Sequence, residues 1–195
     1  METYPRLLVP REWYIDEEVC LGEILYLKGN AASSDTRKSP TVILQVCNVL
    51  GSYGAGFSGE IEREYPGVRK DYKTWVLNSN KIFGKPFTMG RCQALEVIPC
   101  DAGDSYPIVV CNMIAQTGTR KRKSDPCVLD YVALEKCLAW IARRFVDEFN
   151  GTKFTWRIQM PRIGCGLAGG QWAMVEPLII STICAAGACP IVYDL

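Results

Sequence analysis

The sequence predicts an α/β domain of three layers, α/β/α, with a mixed and mostly parallel sheet between the helices. Three observations carry this. Thr41-Val42-Ile43-Leu44-Gln45-Val46-Cys47 is a short, nearly continuous apolar run, the pattern of a strand buried on both faces. Between Cys127 and Phe149, apolar residues recur at helical spacing. Twice, a strand-like stretch leads through a glycine-rich loop into a helix-like one, and strands alternating with helices point to a parallel sheet.

Residues 1–18 are irregular and end in the acidic patch Asp16-Glu17-Glu18; residues 1–21 read as an extension of a single domain spanning 1–195. Gly22 to Asn30 reads as a strand that stops at Gly29, and Ala31 to Pro40 as a polar loop. The strand 41–47 leads into Asn48-Val49-Leu50-Gly51-Ser52-Tyr53-Gly54-Ala55-Gly56-Phe57. A short helix from Ser58 to Tyr65 follows, with Ser58 as its expected cap and Pro66-Gly67 as its stop. Val68 to Lys85 is polar and mixed, with a helix expected around Lys70 to Val76. Arg91–Pro99 and Tyr106–Ala115 are strand-like and flank a stretch with hairpin-turn chemistry. The long helix 127–149 ends at Asn150-Gly151. Lys153 to Met160 alternates like a strand, and Trp172 to Ala186 reads as a helix that Pro177 kinks or delays. Pro190 to Leu195 is a final strand.

Composition excludes several classes of function. At 195 residues, 48% hydrophobic and 22% charged, the chain is globular and large enough for one proper core. A net charge of +1 gives no global drive toward nucleic acid or membrane. No apolar run is long enough to span a bilayer and the N-terminus lacks a signal pattern, so a cytoplasmic protein is expected. The ten cysteines are scattered and form no Cys-x-x-Cys pair, which fits free thiols in a reducing compartment better than disulfides or zinc. There is no histidine, which removes Ser-His-Asp and Cys-His chemistry and His-ligated metals together. No metal and no cofactor is expected.

The second glycine loop, Met160-Pro161-Arg162-Ile163-Gly164-Cys165-Gly166-Leu167-Ala168-Gly169-Gly170-Gln171-Trp172, places Gly164, Gly166, Gly169 and Gly170 between a strand and a helix. Such a turn exposes backbone N–H groups and aims a helix N-terminus at an anion, most often a phosphate. In an α/β sheet, ligands sit outside the carboxyl ends of the strands, so both loops can converge on one cleft. Cys165 lies where a thiol pKa can fall, but no basic partner is evident, and a small residue that fits the turn is the plainer reading. The basic loop Thr117 to Pro126 either draws an acidic ligand or is a solvated surface; it lacks the aromatics of a nucleic-acid binder.

These pieces resemble a macro domain, the family that binds ADP-ribose. The resemblance rests on Ile24 to Asn30, Asn48 to Phe57, Asn112 to Gln116, Met160 to Trp172 and Val192 to Leu195, in matching order over roughly residues 22–195. The string Met-Pro-Arg-Ile-Gly-Cys-Gly-Leu is shared with the branch of terminal ADP-ribose protein glycohydrolase and of proteins that process ADP-ribose-1''-phosphate. The resemblance implies that Gly54, Ala55, Gly56 and Phe57 wrap the distal ribose and one phosphate. Gly164, Cys165, Gly166, Leu167 and Ala168 would cradle the pyrophosphate, Tyr193 and Leu195 would line the adenine pocket, and Asn48 would lie at the distal ribose, where hydrolytic members act.

Three positions depart from the family pattern. Asn30 stands where an Asp usually accepts from the adenine amino group, so base selection is expected to weaken. Ala168 and Gln116 occupy the places of the glycohydrolase aspartate and lysine, so that route is expected to be absent. Two functions stay open: hydrolysis of ADP-ribose-1''-phosphate or of an ADP-ribosyl or acetyl adduct, with Asn48 and loop N–H groups stabilising the departing group, or a non-catalytic reader or sequestering protein. The implied partners are ADP-ribose or a derivative, including an ADP-ribose-based signalling nucleotide, and ADP-ribosylated protein.

Overall fold

The structure, a computed structural model, describes residues 22–33, 39–83, 88–99, 105–120, 122, 124–147 and 155–194. Its elements in order are β1 (Leu25–Lys28), β2 (Thr41–Asn48), α1 (Phe57–Glu64), α2 (Val68–Phe83), β3 (Cys92–Ile98), β4 (Ile108–Gln116), α3 (Tyr131–Ala142), β5 (Arg157–Pro161), α4 (Trp172–Ile179) and β6 (Ile191–Asp194). The strands form one six-stranded sheet in the order β1-β6-β5-β2-β4-β3. All neighbours run parallel except β3, which pairs antiparallel with β4 at one edge. The expected three-layer fold is therefore the one adopted.

Alternation along the central strands builds both cores. Val42 and Leu44 of β2 and Cys111 and Met113 of β4 pack with Leu134, Leu138 and Ile141 of α3 and Val175 and Ile179 of α4. Their sequence neighbours Ile43 and Val110 turn the other way, onto Ile61, Tyr65 and Val68. Tyr72 and Val76 of α2 cover Cys47 and Ile114 on that same face. Every residue of β4 is buried, as a strand with helices on both faces requires.

Several boundaries differ from expectation, each for a local reason. The third helix begins at Tyr131, not Cys127, because the Asp130 carboxylate accepts from Ala133 N–H at 2.9 Å and caps it there. The preceding residues serve the sheet and the second glycine loop: Leu129 bridges Gln116, and Val128 N–H donates to Ala168 O. Ser58 is not a cap but lies inside α1, where its hydroxyl accepts from Gly54 N–H and donates to Ala55 O. The second helix extends over 16 residues, far beyond Lys70–Val76. Pro177 is accommodated inside α4, which widens into a π turn at Ile180–Cys184. Seven described cysteines are free thiols, whereas Cys189 is disulfide-bonded, a departure from the all-thiol expectation. Among the described residues no helix is long and apolar enough to cross a membrane.

Candidate functional site

The site lies where β2 and β5, adjacent and parallel, end. The chain leaving β2 goes to α1 on one face, and the chain leaving β5 goes to α4 on the other. Loops that depart to opposite faces leave a crevice between them, the usual ligand position in such sheets. Across that crevice the loops touch: a Cβ built on Gly56 would lie 3.3 Å from Leu167 Cδ1. Both following helices start without a side-chain cap, at Gly56 and at Gln171. Their first N–H groups are thus left to an external acceptor.

Loop 1 (Val49–Gly56) is held by polar side chains. The Asn48 amide oxygen accepts from Leu50 N–H at 3.1 Å and Ser52 N–H at 3.0 Å, and its nitrogen donates to Ser52 O at 2.7 Å. The Tyr72 hydroxyl donates to Asn48 O from beneath. Gln45 donates to the Tyr53 hydroxyl at 2.5 Å and to Asn112 Oδ1 at 2.6 Å, and Asn112 in turn donates to Gln93 at 2.9 Å. Burial pushes the Tyr53 and Tyr72 hydroxyls up, so both stay protonated near neutral pH. A register shift between Cys47 and Asn48 sets Asn48 opposite Gln116, whose carbonyl accepts from Val49 N–H at 3.0 Å. Such bulges re-aim a side chain at a strand end.

Loop 2 (Arg162–Gln171) is held by close packing. Gly164 has φ 73°, a conformation costly for any residue with a Cβ. A Cβ there would fall 2.7 Å from Leu129, and one on Gly170 would fall 2.4 Å from Leu129 and 2.8 Å from Gly164 O. A Cβ on Gly169 would fall 1.7 Å from Arg120 Nη1, so the guanidinium lies directly on the loop. Gly166, by contrast, is exposed and faces open space. Cys165 is half-buried, and burial pushes its thiol up despite Arg162 nearby, the opposite of nucleophile activation. Ala168 is buried in the core, so it can offer a ligand its backbone only.

At the β1–β6 side of the sheet, Tyr193 packs beside Gly29, the residue before Asn30. A Cβ on Gly29 would lie 3.4 Å from the Tyr193 ring, and Gly29 N–H donates to Asp194 O at 3.0 Å. The Asn30 amide oxygen accepts from Ala32 N–H at 2.9 Å. The Tyr193 hydroxyl accepts from Arg157. Leu195 lies outside the described residues. The order β1-β6-β5-β2 puts this corner three strand spacings, roughly 14 Å, from loop 1. A ligand touching both must span about that distance.

Beside the cleft, Arg162 lies between the Tyr26 and Trp172 rings, 5.4 and 5.1 Å from their centroids, and forks onto Asp194 at 2.6 and 2.9 Å. Sequence reasoning missed this cluster, the Tyr53–Gln45–Asn112 network and the seating of Arg120. Several of their residues lie within the recognised stretches, but their partners are far apart in the chain and no spacing links them. Only the crowding of glycines at 164–170 hinted that something must approach loop 2 closely.

No family model matches the chain. A macrodomain protein of known structure from Streptomyces coelicolor is 30% identical and superposes with a TM-score of 0.67, over 89% of this chain and 99% of that one. A protein named ADP-ribose 1''-phosphate phosphatase, from Meyerozyma guilliermondii, is 25% identical over 170 residues, covering 82% of this chain and 93% of that protein. DarTG of Thermosipho africanus, solved in complex with ADP-ribose, shares the fold at 17% identity and a TM-score of 0.61, over 91% of this chain and 43% of that one.

Proposed function

This chain belongs to the macrodomain family, and from that premise we propose that its cleft binds ADP-ribose or a derivative of it. The observation that carries this reading is the meeting of the two glycine loops, Leu167 against Gly56, at the ends of adjacent parallel strands. N–H groups of the Gly164–Ala168 stretch other than that of Cys165, which donates to Arg162 O at 3.2 Å, would hold the pyrophosphate before α4. Gly54–Phe57 would enclose the distal ribose and one phosphate at the start of α1. Asn30 and Tyr193, with Leu195, would receive the adenine. The similarity to an ADP-ribose 1''-phosphate phosphatase and the ligand held by a fold relative point the same way.

If the bound molecule is ADP-ribose-1''-phosphate, hydrolysis forms a bond from water oxygen to phosphorus and breaks the bond from phosphorus to the ribose O1''. Asn48 is suited to assist. Three bonds to loop 1 fix its amide, and among the described residues its second N–H is left to donate to the departing group. Water must lose its proton to a carboxylate or to the substrate's own phosphate, because the chain has no histidine.

A second reading, sequestration without turnover, is favoured by one observation. Gln116 and buried Ala168 stand where a covalent glycohydrolase pair would be, and the Gln116 amide donates to Gly118 O at 3.2 Å. Such a protein would act as a sponge for free ADP-ribose or an ADP-ribose-based signalling nucleotide, or as a reader of ADP-ribosylated protein.

Titration calorimetry with ADP-ribose tests the binding, and phosphate release from ADP-ribose-1''-phosphate separates the two readings. Gly166→Glu should fold, since its Cβ meets nothing within 4 Å. It should lose about a hundredfold or more in affinity through bulk and charge repulsion in the phosphate cradle. Tight ADP-ribose binding by this variant would sink the assignment. Asn48→Ala should remove any turnover, and because it also frees Leu50 and Ser52 it should weaken ADP-ribose binding as well.

A further inference from the structure

Loop 1 has a second side. Behind it, against α2, is an open pocket of about 450 Å³ lined by Leu50 and Tyr53 from the loop and by Arg69, Lys73 and Leu77 from the helix. Arg69 and Lys73 are four residues apart, so both project from one face of α2. Among the described residues neither side chain makes a hydrogen bond or an ion pair. Glu62, the acidic residue bonded at this end of α2, is engaged with backbone N–H groups, accepting from Arg69 N–H at 2.8 Å and from Gly67 N–H at 3.5 Å. Leu50 and Leu77 are 63% and 59% exposed, leaving an apolar ledge beside the two cations.

The pocket adjoins the cleft. The Arg69 guanidinium comes within 3.7 Å of where a Cβ on Gly54 would be, and Gly54 belongs to the stretch assigned to the distal ribose. Two cations suit a phosphate, and an apolar ledge suits a base or sugar face. The pocket opens to solvent, and its volume of about 450 Å³ is more than a lone phosphate fills.

We propose that this pocket is a second nucleotide-sized subsite, taking a phosphate-bearing group carried on the distal ribose of the bound ligand. The inference rests on the ADP-ribose reading of the main cleft and extends it. Leu50 and Leu77 support the body of the group; Arg69 and Lys73 pair with its phosphates. The preferred ligand is then an ADP-ribose extended by a further nucleotide unit rather than ADP-ribose alone.

The test compares three probes by titration calorimetry at low salt. They are ADP-ribose, ADP-ribose-1''-phosphate and an ADP-ribose dimer, in which the distal ribose of one unit carries the next. The wild type should bind the dimer about tenfold more tightly than ADP-ribose, the gain expected of two exposed charge pairs plus apolar contact. Arg69→Gln combined with Lys73→Gln should cut that gain to about twofold, and added salt should erode it in the wild type. Affinity for ADP-ribose itself should stay unchanged in the variant, which also reports that the fold is intact. No preference for the dimer, or a preference that the double variant keeps, overturns the subsite. So does equal weakening of both ligands, which would mean that the two cations merely support loop 1. A full gain from ADP-ribose-1''-phosphate alone would overturn the nucleotide-sized occupant. Failure of the wild type to bind any ADP-ribose probe would strike the parent reading first, and this one with it.

Discussion

The two glycine loops sit side by side and are built by opposite means. Loop 1 is tied by hydrogen bonds to buried residues: Gln45 donates to the Tyr53 hydroxyl, Asn48 holds Ser52, and Tyr72 in turn holds Asn48. Loop 2 is wedged: at Gly164, Gly169 and Gly170 a Cβ would collide with Leu129 or Arg120. A tied loop can be retuned by exchanging one polar group. A wedged loop tolerates almost no change at the glycines that are packed against and needs no side-chain chemistry of its own. The division suits a site in which the pyrophosphate cradle is fixed and the distal end adapts to what the ribose carries.

Three substitutions sharpen this contrast. The largest effect is expected from Gly170→Ala, since its Cβ would meet the backbone of Gly164 as well as Leu129. It should cost about 3 kcal/mol in urea unfolding, as overpacking against a backbone atom does. A loss under ~1 kcal/mol would show loop 2 to be less rigid than the geometry implies. Tyr53→Phe should cost less, about 1 kcal/mol, for one hydrogen bond to Gln45. It should also weaken ligand binding through loop 1 without touching loop 2. An unchanged ADP-ribose affinity would deny Tyr53 its role as a tether.

The smallest effect belongs to the ion pair at the start of loop 2. The hydrogen bonds from Arg162 hold the Asp194 carboxyl below its ordinary range. A depressed carboxyl contributes stability at pH values above its unfolded pKa, about 3.9, and that contribution is lost as the pH falls through the lower folded value. Melting of Asp194→Asn should therefore differ slightly from wild type near neutrality and merge with it in strong acid. High salt should shrink the neutral difference, because both side chains are exposed. A gap that widened on acidification would contradict the pairing.

Much of the architecture was legible because single positions carry strong constraints. The run 41–47 has to be a strand buried on both faces, and it is. The glycines at 54, 56, 164, 166, 169 and 170 marked both loops. Other features were hidden where composition and tertiary context diverge. α2 shows only a weak apolar stripe, because Val68, Tyr72 and Val76 anchor it, while Arg69, Lys70, Asp71, Lys73 and Thr74 between them are exposed. Residues 127–130 fit a helical pattern, yet Asp130 makes a better cap than interior residue, and Leu129 is needed against loop 2. At the site, the chain order of motifs located the cleft, whereas the partners that shape it come from distant segments. Arg120 lies in a loop that reads as plain solvated charge, and Arg69 and Lys73 are unremarkable until α2 is set behind loop 1.

The ladder between β2 and β5 holds only three register pairs, Thr41–Arg157, Val42–Ile158 and Ile43–Gln159. Beyond Ile43 the strands part, and β5 continues to pair with β6 while β2 continues with β4. The sheet is thus forked, with its crotch beneath the two loops. Amide protons of Leu44–Cys47 that do not face β4 point into this fork and should trade with solvent deuterium faster than their strand neighbours. A molecule spanning the loops would clamp the tines together, so occupancy of the cleft should register as slowed deuterium uptake at the floor of the fork, without any ligand atom touching it.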